Sequence, residues 1–119
     1  MMTHSLIVEE EKIIQLLLQC WSEETSSRYT KENPSCGQCG VTALAIQDHY
    51  GGEIVKTRIG NLWHFYNRIH GRYYDFTAGQ FEKEIEYDHI IATRSDAFDD
   101  TNDLQYAVMS RKFSTAKNQ

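Results

Sequence analysis

The chain holds a single proline, Pro34, and only three cysteines, Cys20, Cys36 and Cys39. An odd number of cysteines does not make a disulfide framework, and in a reducing compartment all three are expected to be thiols. Positive charge is scarce. Lys and Arg number 12 against 17 Asp and Glu, a formal charge of −5. That argues against a nucleic-acid binder working through bulk charge, which needs a basic face. It argues equally against attraction to anionic lipid. Apolar runs such as Leu16–Leu18 and Ile90–Ala92 are far too short to span a bilayer. Glu9–Glu11 stands where a secretory signal would be basic and then apolar, so the cytoplasm is the expected compartment. Neither nucleic acid nor membrane is expected as a partner.

What remains is an ordinary globular composition, with 40% apolar and 24% charged residues in 119. That length fits one small domain, residues 1–119, with a single core. Leu6 to Trp21 reads as an amphipathic helix, since Leu6, Ile13, Leu17 and Trp21, with Ile14 and Leu18, recur at three- and four-residue steps. Ser5 is its expected N-cap, and Cys20 its core residue. Ser22 to Ser35 is polar and reads as a long ordered loop or a pair of turns. Cys39 to Tyr50 forms a second helix, ended by Gly51-Gly52. Strand-like runs follow at Glu53–Ile59, Leu62–Ile69, Arg72–Phe76 and His89–Thr93. Gly60-Asn61 and His70-Gly71 are the turn signals between the first three. Asp96–Asp100 reads as acidic loop. Thr101 is expected to cap a last helix that runs to about Phe113, with Asp103 in its first turn and Arg111 and Lys112 in its last. The order predicts an α+β fold, helices packed on one antiparallel sheet.

The chemistry concentrates in Asn33-Pro34-Ser35-Cys36-Gly37-Gln38-Cys39-Gly40. Cys39 falls where a polar, glycine-containing loop becomes an apolar helix. Free N–H groups and the positive end of the dipole at such a start favour thiolate over thiol. Gly37 and Gly40 leave room for a substrate backbone. A thiolate nucleophile needs a base, and the base needs an orienting partner. If the turn is the two residues His70-Gly71, paired positions sum to 141. His64 and Asp75 then share one sheet face as diagonal neighbours, about 7–8 Å apart by backbone. A register shifted by one residue would separate them.

Cys36-Gly37-Gln38-Cys39-Gly40 opening a helix resembles the nucleophile segment of papain-like cysteine proteases. His64 to Thr77 is similar to the His-strand and Asp-strand segment of the transglutaminase-like superfamily. Residues 33–77, about 45 of the 119, are also similar to small bacterial proteins of the YunG type. The resemblance implies a papain/transglutaminase-like core and a Cys-His-Asp triad for amide hydrolysis, deamidation or acyl transfer. Cys39 would be nucleophile, His64 base and Asp75 orienter. Oxyanion donors would be the Cys39 N–H with the Gln38 or Asn33 side chain. The substrate would be a peptide, a protein or a small amide, and no cofactor or metal is implied. Two departures stand out. Papain-like enzymes carry an aromatic residue where Gly40 stands, and their histidine lies far further downstream than His64.

Blander roles compete with these. Cys39 is also the kind of small residue that packs a helix start. His64, among Trp63, Phe65 and Tyr66, also reads as a satisfied sheet histidine, and Asp75 as a backbone partner at a strand end, with Thr77 capping the next segment. His49 sits at the end of the second helix, where a cation suits the dipole. The aromatic cluster from Trp63 to Phe76 reads as sheet packing. A non-catalytic binding module of the same fold is the alternative from another class. Cys36-x-x-Cys39 matches the thioredoxin-type redox pattern, but no strand directly precedes it and no proline follows it. Cys36 and Cys39 with His64 and His70 or His49 would make a weak zinc set.

Overall fold

The structure, a computed structural model, describes residues 8–119. Helix α1 spans Glu10–Cys20, α2 Cys39–Tyr50, α3 Arg94–Phe98 and α4 Asp103–Lys117. Strands β1 Glu53–Ile59, β2 Leu62–Ile69, β3 Arg72–Tyr74 and β4 Ile90–Ala92 form one antiparallel sheet in the order β3-β2-β1-β4. The fold is therefore α+β, as the order of sequence signals predicts. No helix among the described residues is long and apolar enough to cross a membrane.

The second helix organises the molecule. Every residue from Cys39 to Ile46 is buried, because this stretch is apolar or small on all sides and has no polar face to turn outward. Its one side joins Val41, Ala45 and Ile46 to Ile13, Leu17 and Trp21 of the α1 region and to Met109 and Phe113 of α4. Its other side joins Cys39, Ala43 and Leu44 to Ile54 and Phe65 of the sheet and to Ala97 of α3. Buried polar groups tie the layers: Trp21 donates its Nε1–H to Thr42 at 2.9 Å, and the Asn67 amide donates to the Ala43 carbonyl at 3.1 Å. Cys20 is fully buried, as expected of a core residue.

The β2–β3 hairpin has the register the turn implies. Asn67 pairs with Tyr74, Arg68 with Tyr73 and Ile69 with Arg72, each pair summing to 141. His70 and Gly71 both take positive φ, 50° and 78°, which is what a two-residue turn matched to strand twist demands.

Elsewhere the structure corrects the expectations. The first helix begins at Glu10 within the described residues, while Leu6 and the Ser5 cap lie outside them. Leu18, expected on its apolar face, is 51% exposed. The strand expected over Arg72–Phe76 stops at Tyr74, and a short 3₁₀ turn at Ala78–Gln80 follows. Asp96–Asp100 is not all loop. Thr93 and Asp96 form a reciprocal capping box that starts α3, a pattern of Thr followed three residues on by an acid. The last helix is capped by Asn102, whose side chain accepts from the Gln105 N–H, rather than by Thr101. It continues past Phe113 to Lys117, so Arg111 and Lys112 are interior. At His49, expected to suit the helix dipole as a cation, burial and then the Lys117 charge lower the pKa against the pull of Asp48, and the ring meets Phe113 edge-on at 4.9 Å.

Candidate active site

Asp75 lies just past the end of β3, and its carboxylate is fully engaged. Oδ1 accepts from the Thr77 N–H at 3.2 Å and the Thr77 hydroxyl at 3.3 Å. Oδ2 accepts from His64 Nε2 at 2.6 Å and from the Tyr87 hydroxyl at 2.7 Å. An ionised carboxylate only accepts, so the proton of this bond sits on Nε2, and in the neutral imidazole Nδ1 then carries the lone pair. His64 is 2% exposed, and its Nδ1 has no hydrogen-bond partner among the described residues. Phe81 packs edge-on against the ring at 5.0 Å and restricts its rotation. Burial first, and then Asp75 beside the phenol, raises the Tyr87 pKa.

Cys39 is the first residue of α2 and is 6% exposed. It shares with His64 a cavity of about 450 Å³, which Trp63, Phe81, Arg28 and Asp100 also line. The Phe65 N–H, one residue from His64, lies against the sulfur. The three predicted residues are thus gathered in one place: Asp75 behind the imidazole, and imidazole and sulfur on the wall of the same cavity.

The acidic thiol expected at the helix start is not found. Burial comes first, and the charge of Asp100 second, in pushing the Cys39 thiol well above the usual range. Its S–H is donated to Asp100 Oδ2 at 3.3 Å, and the same oxygen accepts the Gly40 N–H at 3.0 Å. Burial also raises the Asp100 carboxyl, against the opposing pull of the Gly40 and Cys39 hydrogen bonds and of Arg28 and His64.

The two glycines flanking Cys39 serve the protein itself rather than an incoming backbone. A Cβ on Gly37 (φ +73°) would lie 2.5 Å from the Ser26 hydroxyl oxygen. One on Gly40 would lie 2.7 Å from the Ala97 carbonyl oxygen and 2.8 Å from Asp100. Gly40 has no room for a side chain because α3 and Asp100 press on the start of α2.

Neither side chain expected as an oxyanion donor is free. Gln38 is fully buried, and its amide donates to the Ser22 and Pro34 carbonyls, each at 3.4 Å. Asn33 donates to the Gln80 carbonyl at 3.2 Å. Both hold the loop before α2 in shape, and the backbone N–H groups near the sulfur are that of Phe65, which lies against it, and that of Gly40, which Asp100 engages. All three cysteines are free thiols. Among the described residues, no group of three or more His, Cys, Asp and Glu is disposed to hold a metal ion.

Sequence reasoning missed Asp100 and Tyr87. Asp100 is 61 residues from Cys39 and was legible only as one acid among several. Tyr87 lies in an irregular segment with no periodic signal.

No solved structure matches the chain. It is similar to the uncharacterized protein YunG of Bacillus subtilis (strain 168), with 55% identity over 108 residues, which cover 91% of this chain and 94% of that protein. The YunG protein family matches residues 9–118, nearly the whole chain, so the protein belongs to the YunG family.

Proposed function

We propose that the protein carries out cysteine-dependent acyl chemistry on an amide or thioester: hydrolysis, deamidation or transfer. The observation that carries this reading is the 2.6 Å bond from His64 Nε2 to Asp75, which leaves the buried Nδ1 without a partner among the described residues, in a side chain that lines the same cavity as Cys39. A histidine held only for packing has no need of a buried carboxylate with four donors. The order of a cysteine-initiated helix, a His strand and an Asp just after the next strand supports a papain/transglutaminase-like core. The substrate class remains that of the resemblance, a peptide, protein or small amide.

In this reading, Nδ1 of His64 takes the Cys39 proton as Sγ attacks the carbonyl carbon. Asp75 stabilises the imidazolium and fixes its orientation. The new oxyanion points to the N–H groups at the start of α2, and loss of one such donor is worth about 3–4 kcal/mol in comparable sites. Collapse of the adduct expels an amine or thiol, which takes its proton from His64, and leaves an acyl group on Cys39. Water or an amine then attacks that thioester, with His64 as base, and the thiol is restored.

A second reading has one observation in its favour: the thiol is buried and held well above its usual pKa, as suits a cavity that binds without reacting. The discriminating experiment is incubation with a small acyl thioester and mass spectrometry of the intact chain. Catalysis requires an acyl adduct at Cys39 that turns over with time, and its absence in Cys39→Ala and near-absence in His64→Gln. A chain that never acylates, with the same thioester bound and unchanged, is the binding module.

A further inference from the structure

The carboxylate of Asp100 is half-buried beside the sulfur, and the proposed triad gives it no task. One of its oxygens touches both Cys39 Sγ and the Gly40 N–H, at 3.3 and 3.0 Å. A carbonyl attacked by this sulfur would place its oxygen in just such a position, close to Sγ and directed at the first N–H groups of α2. A carboxylate of the protein itself occupies that seat. The close fit at Gly40, where any Cβ would collide with Asp100 and with the Ala97 carbonyl, shows that the chain accommodates this contact in its backbone. The second sign that the place is built for a reacting group is His64, which lines the same cavity, is almost wholly buried and has a buried nitrogen with no partner among the described residues.

We propose that Asp100 is a latch on Cys39: it accepts the hydrogen bond of the thiol, fills the seat of the substrate carbonyl oxygen, and must yield that seat before His64 can activate the sulfur. This rests on the triad reading for what happens after release, but the latch itself concerns only Cys39, Gly40 and Asp100. Asp100 is here a positioning residue, since it touches no reacting atom of substrate. Its segment is suited to yield, because it is the short connection between α3 and α4, Asp99–Asn102, rather than part of either helix. The charged groups facing the latch are Arg28 from the loop before α2, Lys56 and His64 from the sheet, Asp75 after β3, and Asp96 and Asp99 from α3 and its end. Lys56 is held by Asp96 at 3.5 Å and by the Trp63 ring, which leaves Arg28 as the cation that draws on Asp100.

The test is alkylation by iodoacetamide, in which the thiolate displaces iodide to form an S–C bond. Rates at Cys36 and Cys39 are followed separately by fragmentation mass spectrometry across pH 6–10. Cys36, half-buried and outside the latch, is the internal reference. In the wild-type chain Cys39 is expected to react more slowly than Cys36 at pH 7.5. Asp100→Asn keeps the shape and removes the charge, and should speed Cys39 by about tenfold or more, with its pH profile moved at least about one unit lower. Gly40→Ala, which pushes Asp100 off its seat, should do the same. A merely structural Asp100 would not move the pH profile. The latch is overturned if wild-type Cys39 outpaces Cys36, or if folded Asp100→Asn leaves the ratio unchanged. Adding His64→Gln to Asp100→Asn separates the two ideas. If the released sulfur is indifferent to His64, the latch stands and the triad falls. If His64→Gln slows Cys39 while Asp100→Asn does nothing, the triad stands and the latch falls.

Discussion

At the scale of the residue, the site is governed by two carboxylates with opposite duties. Asp75 faces the imidazole from behind and fixes the proton on Nε2. Asparagine there can turn its NH₂ toward Nε2, which drives the proton to Nδ1 and spoils the base. Asp75→Asn should therefore lower acylation of Cys39 by about 10³–10⁴-fold, measured by the thioester assay, with its melting curve little changed. Asp100 faces the sulfur, and burial holds its carboxyl above the usual range. That direction sets the sign of its effect on stability. Between the unfolded value and the raised folded value, the folded chain keeps a proton that the unfolded chain releases. Ionisation of Asp100 thus erodes stability as pH rises through its folded value. Asp100→Asn should raise the melting temperature at pH 7 and leave it unchanged at pH 3. Calorimetry at the two pH values checks this. Cys39, His64 and Asp75 were legible as residues because each sits at an element start or on a predictable strand face. The pKa of the thiol was not, because the dipole argument is local while burial and Asp100 come from distant chain.

At the scale of the element, the site depends on register and on where α2 begins. The sum of 141 across the β2–β3 hairpin follows from the turn alone, which is why the His64–Asp75 contact could be anticipated. The end of α2 is set with equal strictness. Gly51 and Gly52 both take positive φ, 75° and 78°, but only Gly52 lies against neighbouring backbone, where a Cβ would sit 2.2 Å from the Arg68 carbonyl oxygen. Gly51→Ala should cost about 1 kcal/mol from its backbone conformation alone, and Gly52→Ala about 2–3 kcal/mol or more. Urea denaturation of the two variants separates strain from collision. The short helix α3 escaped the sequence reading because five residues hold too little periodicity, although its Thr93-Asp96 capping pair was present. The last helix is longer than the sequence suggests: Arg111 and Lys112 read as its basic last turn, whereas Ala116 is buried and the helix runs on to Lys117.

At the scale of the whole molecule, one helix couples the core to the chemistry. The face of α2 opposite Cys39 is packed by α1 and α4, with Phe113 fully buried at their centre. Loss of this packing should loosen the helix that carries Cys39. Phe113→Ala is expected to cost about 3–5 kcal/mol, a large part of the stability of a domain of this size, read by thermal melting. The α+β class and the antiparallel sheet were legible from the order of signals. The third dimension of the site was not, since Asp100 and Tyr87 reach it from segments whose sequence carries no pattern beyond polarity and aromaticity. The central claim is that His64 is a base held by Asp75 and directed at the Cys39 sulfur. Nitrogen-15 NMR of the histidine side chains, in the wild-type chain and in Cys39→Ala, tests it most directly. The account predicts that at neutral pH His64 carries its proton on Nε2, and that removal of the thiol shifts the Nδ1 resonance while Nε2 stays bonded to Asp75. A proton found on Nδ1, or an Nδ1 resonance indifferent to the loss of the sulfur, would contradict it.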